Sequence, residues 1–238
     1  MKRGSFNKIY KIGNVVIKID ADKNPFSQIV MNEMDSKKYL RYEKDLNKCG
    51  IKTSKIYFYT TFPKTILVEK NIRGRNLQEI MDDEKVSLKE KLTLLKKLLL
   101  IYKKTENTNV CIDCNLKNFI LNNNELIYID FVPSLYKEKI EESTSLIIED
   151  YKDLYLCTDI QLISIMNYVL KSLMYLSKEE LQKMRDEITK IIVETFNSNL
   201  VIESKNVVLK KKELINSYIE DEIDLGEFNI QYNLINKR

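Results

Sequence analysis

Three residues in one short stretch have the types and spacing that chemistry on a phosphate requires. Asp113-Cys-Asn-Leu-Lys-Asn118 sets a carboxylate and a carboxamide on one loop, and Asp130 follows twelve residues after Asn118. Between them run Phe119-Ile-Leu121, the turn-forming Asn122-Asn123-Asn124 and Leu126-Ile-Tyr-Ile-Asp-Phe131, a pattern of two short strands closed by a tight turn. Such a hairpin brings Asn118, at the start of one strand, beside Asp130, at the end of the other. The two side chains form a hard-oxygen pair suited to Mg²⁺, which takes one or two protein oxygens and completes its shell with phosphates and water. Asp113, further along the loop, is placed to orient or deprotonate a hydroxyl nucleophile.

What the chain lacks narrows the chemistry further. There is no histidine among its 238 residues, which removes Ser-His-Asp and Cys-His nucleophile pairs, His-ligated zinc and haem, and imidazole proton shuttles. Catalysis would have to run on carboxylates, lysine, backbone dipoles and recruited metal ions. The net charge of +4 balances 39 basic against 35 acidic side chains, too even for a protein that lives on phosphate backbones. Lys210-Lys211-Lys212 is followed at once by Glu213 and reads as a solvated helix face, so no nucleic-acid partner is expected. Cys111-Ile-Asp-Cys114 is a C-x-x-C, but with no second pair and no βαβ setting it reads as buried or incidental thiols. No secretory signal follows Met1. The most apolar stretch, residues 160–176, is broken by Gln161, Ser164, Asn167, Lys171 and Ser172, so a buried helix rather than a membrane span is expected, and with it a cytosolic location.

Alternating runs around Gly13-Asn14 predict a hairpin over residues 8–20. Helical spacing follows over 26–48, then a strand pair over 55–60 and 64–69. Beyond Gly74 the pattern turns helical, at 77–81 and at 87–105, where Ser87 and Glu90 make a capping box. Strands return over 110–131, and helices are predicted at 151–176, 178–197 and 210–222. A content of 44% hydrophobic residues is enough to bury a core of this α+β kind.

Asp113, Asn118 and Asp130 in this order and spacing resemble the protein-kinase-like superfamily, and within it the small-molecule branch of aminoglycoside phosphotransferases and choline-kinase-like enzymes. The resemblance implies a bilobal protein-kinase-like fold, with a small β-rich N-lobe over residues 1–72 and a mostly helical C-lobe over 73–238. In it Lys18, of Val15-Val16-Ile17-Lys18, stands at the strand lysine that grips the α- and β-phosphates. Glu33 would be its ion-pair partner, with Asp35 and Glu43 as rivals. Residues 66–74 resemble the hinge, where backbone groups near Glu69 to Asn71 would hold the adenine edge, and Gly74 and Leu77 match a following G-x-x-L. Backbone amides over Gly4-Ser5-Phe6-Asn7, helped by the Ser5 and Asn7 side chains, would cover the phosphates. Asp159 resembles the aspartate that opens the central C-lobe helix.

The family's histidine before the catalytic aspartate is Cys111 here. Val132-Pro133 replaces the glycine that follows the metal-binding aspartate in protein kinases, and no Ala-Pro-Glu closes the segment. These departures suit the small-molecule branch. The implied activity is transfer of the γ-phosphoryl group of ATP or GTP, with Mg²⁺, to a hydroxyl of an aminoglycoside- or choline-like molecule. Glu141, Glu142, Glu149, Asp150 and Asp153 are the acidic candidates for selecting a cationic acceptor. The alternatives are a compact protein kinase or toxin-like effector acting on a protein side chain, a catalytically dead nucleotide- or partner-binding module, and a helical interaction protein with no nucleotide site.

Overall fold

The computed structural model describes residues 6–20, 36–60, 66–131, 135–142, 152, 155–196, 207–220 and 222–235. The chain is α+β and parts into two compact units. The first takes in Met1–Asn76, Lys104–Asp113 and Asn118–Glu149, and the second Leu77–Lys103, Cys114–Lys117 and Asp150–Arg238.

Among the described residues, all the strands lie in the first unit. A four-stranded antiparallel sheet has the order β1 (Phe6–Ile12), β2 (Val15–Asp20), β4 (Ile66–Lys70), β3 (Ile56–Thr60). Gly13 has φ +58° in the two-residue turn between Ile12 and Val15, a conformation that L side chains resist. Helix α1 (Ser36–Lys48) packs beside β3 through the fully buried Tyr42 and Leu46.

A second sheet orders β5 (Arg75–Asn76), β6 (Phe119–Asn122) and β7 (Glu125–Tyr128). Asn123 and Asn124 both have positive φ and close β6 onto β7 in a two-residue turn. Gly74 lets β5 reach β6, because a Cβ there would come within 2.1 Å of the Leu121 carbonyl oxygen. The sheets are joined along the segment before β3. Tyr128 N–H donates to the Lys52 carbonyl at 2.9 Å, and Ser54 N–H donates to the Tyr128 carbonyl at 3.1 Å. The strand expected at 110–112 is instead a single bridge, Val110 to Tyr136, ahead of the short helix α4 (Lys137–Glu142).

The second unit is helical: α2 (Leu77–Met81), α3 (Leu88–Lys103), α5 (Thr158–Ser172), α6 (Lys178–Phe196), α7 (Val207–Ile219) and α8 (Leu225–Ile235). Helix α5 is buried on almost every side, from Ile160 through Leu170, and packs against α2, α6 and α7. Three N-termini are capped as their residues require. Ser87 Oγ accepts Glu90 N–H, Ser177 and Glu180 form a reciprocal box, and Asp224 Oδ1 accepts Glu227 N–H. Helix α8 was not foreseen from the apolar spacing. Among the described residues no helix is long and apolar enough to cross a membrane.

Candidate functional site

Alternation on β2 and β4 turns Val16, Lys18, Leu67 and Glu69 toward the interior. Lys18 lies opposite Leu67 and Glu69 opposite Val16, so the lysine and the carboxylate are diagonal neighbours on one face. Glu69 Oε1 is 2.6 Å from Lys18 Nζ, with both side chains buried, and Ser54 Oγ donates to Glu69 Oε2 at 2.7 Å. Lys18 Nζ also donates to the Ile129 carbonyl at 2.7 Å. An ammonium carries three hydrogens, and these two acceptors use two of them.

Among the described residues the partner of Lys18 is Glu69; the partner expected from the sequence was Glu33. Glu33 and Asp35 lie outside the described residues. Glu43, the other rival, sits on α1 with its carboxyl pushed above the usual range, mainly by burial.

The open end of the β6–β7 hairpin lies at the same place. The ladder from Asn122–Glu125 to Phe119–Tyr128 continues one step, with Ile129 N–H donating to the Asn118 carbonyl at 2.9 Å. Asn118 is thereby fixed beside the residue that precedes Asp130, as the two-residue turn requires. The half-buried Asn118 has its Nδ2 sealed from solvent with no hydrogen-bond partner. Turning the carboxamide over about its last torsion presents Oδ1 there instead. A cation ligand would use that orientation, and the orphaned position fits one. Among the described residues no group of three or more His, Cys, Asp or Glu gathers as a metal cage. Asn118 and Asp130 would supply two oxygens, a number that suits a hydrated hard cation shared with phosphates.

Asp113 is tied to the same hairpin through two buried tyrosines. Its N–H donates to Tyr128 Oη at 3.3 Å. Tyr128 hydrogen-bonds Tyr42, and Tyr42 donates to the Cys111 carbonyl. Burial above all holds both phenols far above their usual pKa. The charge of Asp130 adds to this at both rings, and that of Asp113 at Tyr128. The Tyr128 phenol, buried and under both charges, stays protonated. Burial also pushes the Cys111 thiol up to about 12, so it is no thiolate, and no disulfide joins it to Cys114.

Other expected site residues fall elsewhere. Gly4 and Ser5 lie outside the described residues, and Asn7 falls within β1. Of the backbone groups near Glu69 to Asn71 expected to hold a base edge, two N–H groups are already engaged, Lys70 with the Lys55 carbonyl and Asn71 with the Asn14 carbonyl, both at 2.8 Å. Asn71 Nδ2 donates to the Gly13 carbonyl, so this side chain pins the β1–β2 turn. Of the acidic candidates, Glu142 pairs with Lys139 on α4, Glu141 shares that helix, and Glu149, Asp150 and Asp153 lie outside the described residues. Asp159 stands in the first turn of α5.

Residue reasoning missed Glu69 as a side-chain partner, and missed Tyr42 and Tyr128 entirely. A signal existed for Glu69: in Ile-Leu-Val-Glu it alternates with Leu67, so it points inward and needs a cation. No protein-family model matches the chain, and no curated protein matches it in sequence.

Proposed function

We propose that this protein is a phosphotransferase on a protein-kinase-like framework, moving the γ-phosphoryl group of ATP or GTP to the hydroxyl of a small molecule. One observation carries the reading. Ile129 accepts from the Lys18 ammonium through its carbonyl and donates to the Asn118 carbonyl through its N–H, and Asp130 follows it directly. Lys18, the backbone of Asn118 and, by sequence, Asp130 thereby meet at one residue from three separate stretches, which supports a phosphate-gripping cation beside two oxygen ligands.

In the reaction the acceptor oxygen forms a bond to the γ-phosphorus while the bond from that phosphorus to the β,γ-bridging oxygen breaks. The hydroxyl proton passes to the Asp113 carboxylate, and ADP or GDP leaves. Lys18, held in place by Glu69, meets phosphate charge with a fixed ammonium. Tyr128 and Tyr42 hold the Asp113 amide and the Cys111 carbonyl, which orients the loop before any substrate arrives. Asn118 and Asp130 would hold Mg²⁺, whose charge neutralises phosphate oxygens. Nothing in these steps requires a histidine.

Thermal unfolding with and without Mg·ATP tests the proposal, because a ligand of the native state alone raises the midpoint. The wild type should be stabilised and Asp130→Ala should not. Stabilisation without phosphoryl transfer to any alcohol would leave a nucleotide-binding module. No shift in the wild type with either ATP or GTP would remove the nucleotide site altogether.

A further inference from the structure

The four-stranded sheet buries Val16, Lys18, Leu67 and Glu69 on its inward face, and its outer face is apolar too. Register fixes which side chains share that outer face. Tyr10, Ile17, Val68 and Phe58 form one row across all four strands. The flanking rows run from Lys8 to Thr60 on one side and from Ile12 to Lys70 on the other. Ile12 is 64% exposed, Phe58 54% and Tyr10 47%. Ile17 and Val68, on the central strands, are partly exposed.

An antiparallel sheet with one face in water carries polar residues on that face. Here Val15-Val16-Ile17 and Ile66-Leu67-Val68 are apolar on both faces, the composition of strands that are covered twice. The only charges on the three rows are Lys8 and Lys70, and neither is ion-paired among the described residues. They stand at opposite corners of a rectangle whose other corners are Ile12 and Ile66, with Ile17 at its centre. At strand and residue spacings of about 4.8 Å and 3.4 Å, the lysines lie about 17 Å apart across the apolar diagonal. A helix about 10–12 Å wide, laid along that diagonal, would have one lysine on each side. Tyr10 would flank it on the Lys8 side and Phe58 on the Lys70 side.

We propose that this outer face docks an acidic amphipathic helix of a partner protein. The apolar stripe of the helix lies on Ile12, Ile17, Val68 and Ile66, and its carboxylates meet Lys8 and Lys70. The inference does not depend on the phosphotransferase reading. Charge complementarity selects this occupant. A second copy would bring its own lysines to the face and no acid. The rows also span only about 14 by 14 Å between outermost Cα positions, well below the ~800 Å² that each partner of a stable dimer buries. An anionic membrane is attracted by clusters of about 4–8 basic residues. This face offers Lys8 and Lys70 alone.

The test is fluorescence anisotropy of a labelled helical peptide with Leu at i, i+3, i+4 and i+7 and Glu on both borders of that stripe, titrated with the full chain. A peptide with Lys in place of every Glu is the comparison. The wild type should bind the glutamate peptide about tenfold or more tightly than the lysine peptide. Tyr10→Ser and Phe58→Ser should each weaken that binding by about tenfold, as loss of an aromatic anchor does. Lys8 and Lys70 are exposed, so Lys8→Glu with Lys70→Glu keeps the proposal measurable if a serine variant fails to fold. The double change should reverse the preference toward the lysine peptide. Failure of the glutamate peptide to bind, equal binding of the two peptides, or a preference that survives the charge reversal would overturn the proposal. Sedimentation velocity and flotation with phosphatidylserine vesicles test the other occupants, and a monomer that ignores the vesicles is expected. Dimers abolished by Phe58→Ser would give the face to a second copy. Vesicle binding abolished by the same change, with no peptide bound, would give it to a membrane. Either result would overturn the helix.

Discussion

Glu69 stands on the same inward face of the sheet as Lys18, on the neighbouring strand, and its carboxylate lies 2.6 Å from the ammonium. The pair is buried, and Ser54 holds the second carboxylate oxygen. Attraction in such a place is offset by the cost of drying two charges, so the pair adds little net stability over an apolar replacement. Its consequence is positional: Lys18 is held where Ile129 and the hairpin end meet it.

Glu69→Gln keeps the volume and removes the counter-charge, leaving a buried ammonium unopposed. The expected loss is roughly 3–5 kcal/mol in denaturant unfolding. Lys18→Met combined with Glu69→Leu should recover most of that loss, because neither charge remains. Additive costs of the single and double changes would mean that the two groups do not interact.

Tyr128→Phe deletes the hydroxyl that accepts from the Asp113 amide and hydrogen-bonds Tyr42. Stripping a buried hydrogen-bond partner costs about 1–3 kcal/mol. The informative readout is hydrogen exchange, which should quicken at Asp113 while amides in the four-stranded sheet keep their protection. Unchanged exchange there would show that the tyrosine does not hold the loop.

How far the sequence foretold these positions depends on the distance each contact spans. The Gly13-Asn14 and Asn123-Asn124 turns were legible because two-residue turns have narrow residue requirements and fix the register of their strands. That register is what brought Asn118 beside Ile129 and Asp130. The choice of Glu69 was not legible, since it needs β2 to pair with β4 across some fifty intervening residues. Tyr42 was hidden for the same reason: its hydroxyl meets a carbonyl 69 residues away. The two-residue strand β5 exists only through its pairing with β6, which Gly74 permits. At 110–112 the β-rich composition was a false lead, because Cys111 N–H goes to the Leu135 carbonyl in a loop contact.

Cys111 provides a pH test of the buried loop. Its thiol titrates near 9.0 when exposed and is pushed to about 12 by burial in the fold. The raised folded value favours the protonated form, so this contribution to stability is complete below pH 9.0 and is lost as pH rises through about 12. In that window the unfolding free energy of the wild type should fall with pH. Cys111→Ala should fall less steeply, by up to one proton, or about 1.4 kcal/mol per pH unit. Parallel curves for the two proteins would place the thiol in solvent.

Asp113→Asn separates binding from chemistry. The backbone bond from residue 113 to Tyr128 does not depend on the side chain, so the loop keeps its tether. Asparagine has nearly the size of aspartate and still accepts hydrogen bonds, but it cannot take the acceptor's proton or steady the nucleophile with a negative charge. Asp113 is not one of the two proposed cation ligands, so Mg·ATP should raise the thermal midpoint of the variant by about the wild-type amount. Phosphoryl transfer should nevertheless fall by roughly 10²-fold or more, the usual contribution of a positioned acid–base group. Because the proton is lost in the transfer step, the fall should appear in kcat, with the nucleotide KM nearly unchanged. If Asp113 merely shaped the loop, the variant would lose stability and transfer at a near-normal rate. Normal nucleotide binding with normal turnover would remove Asp113 from the mechanism and leave the proposed reaction without its base.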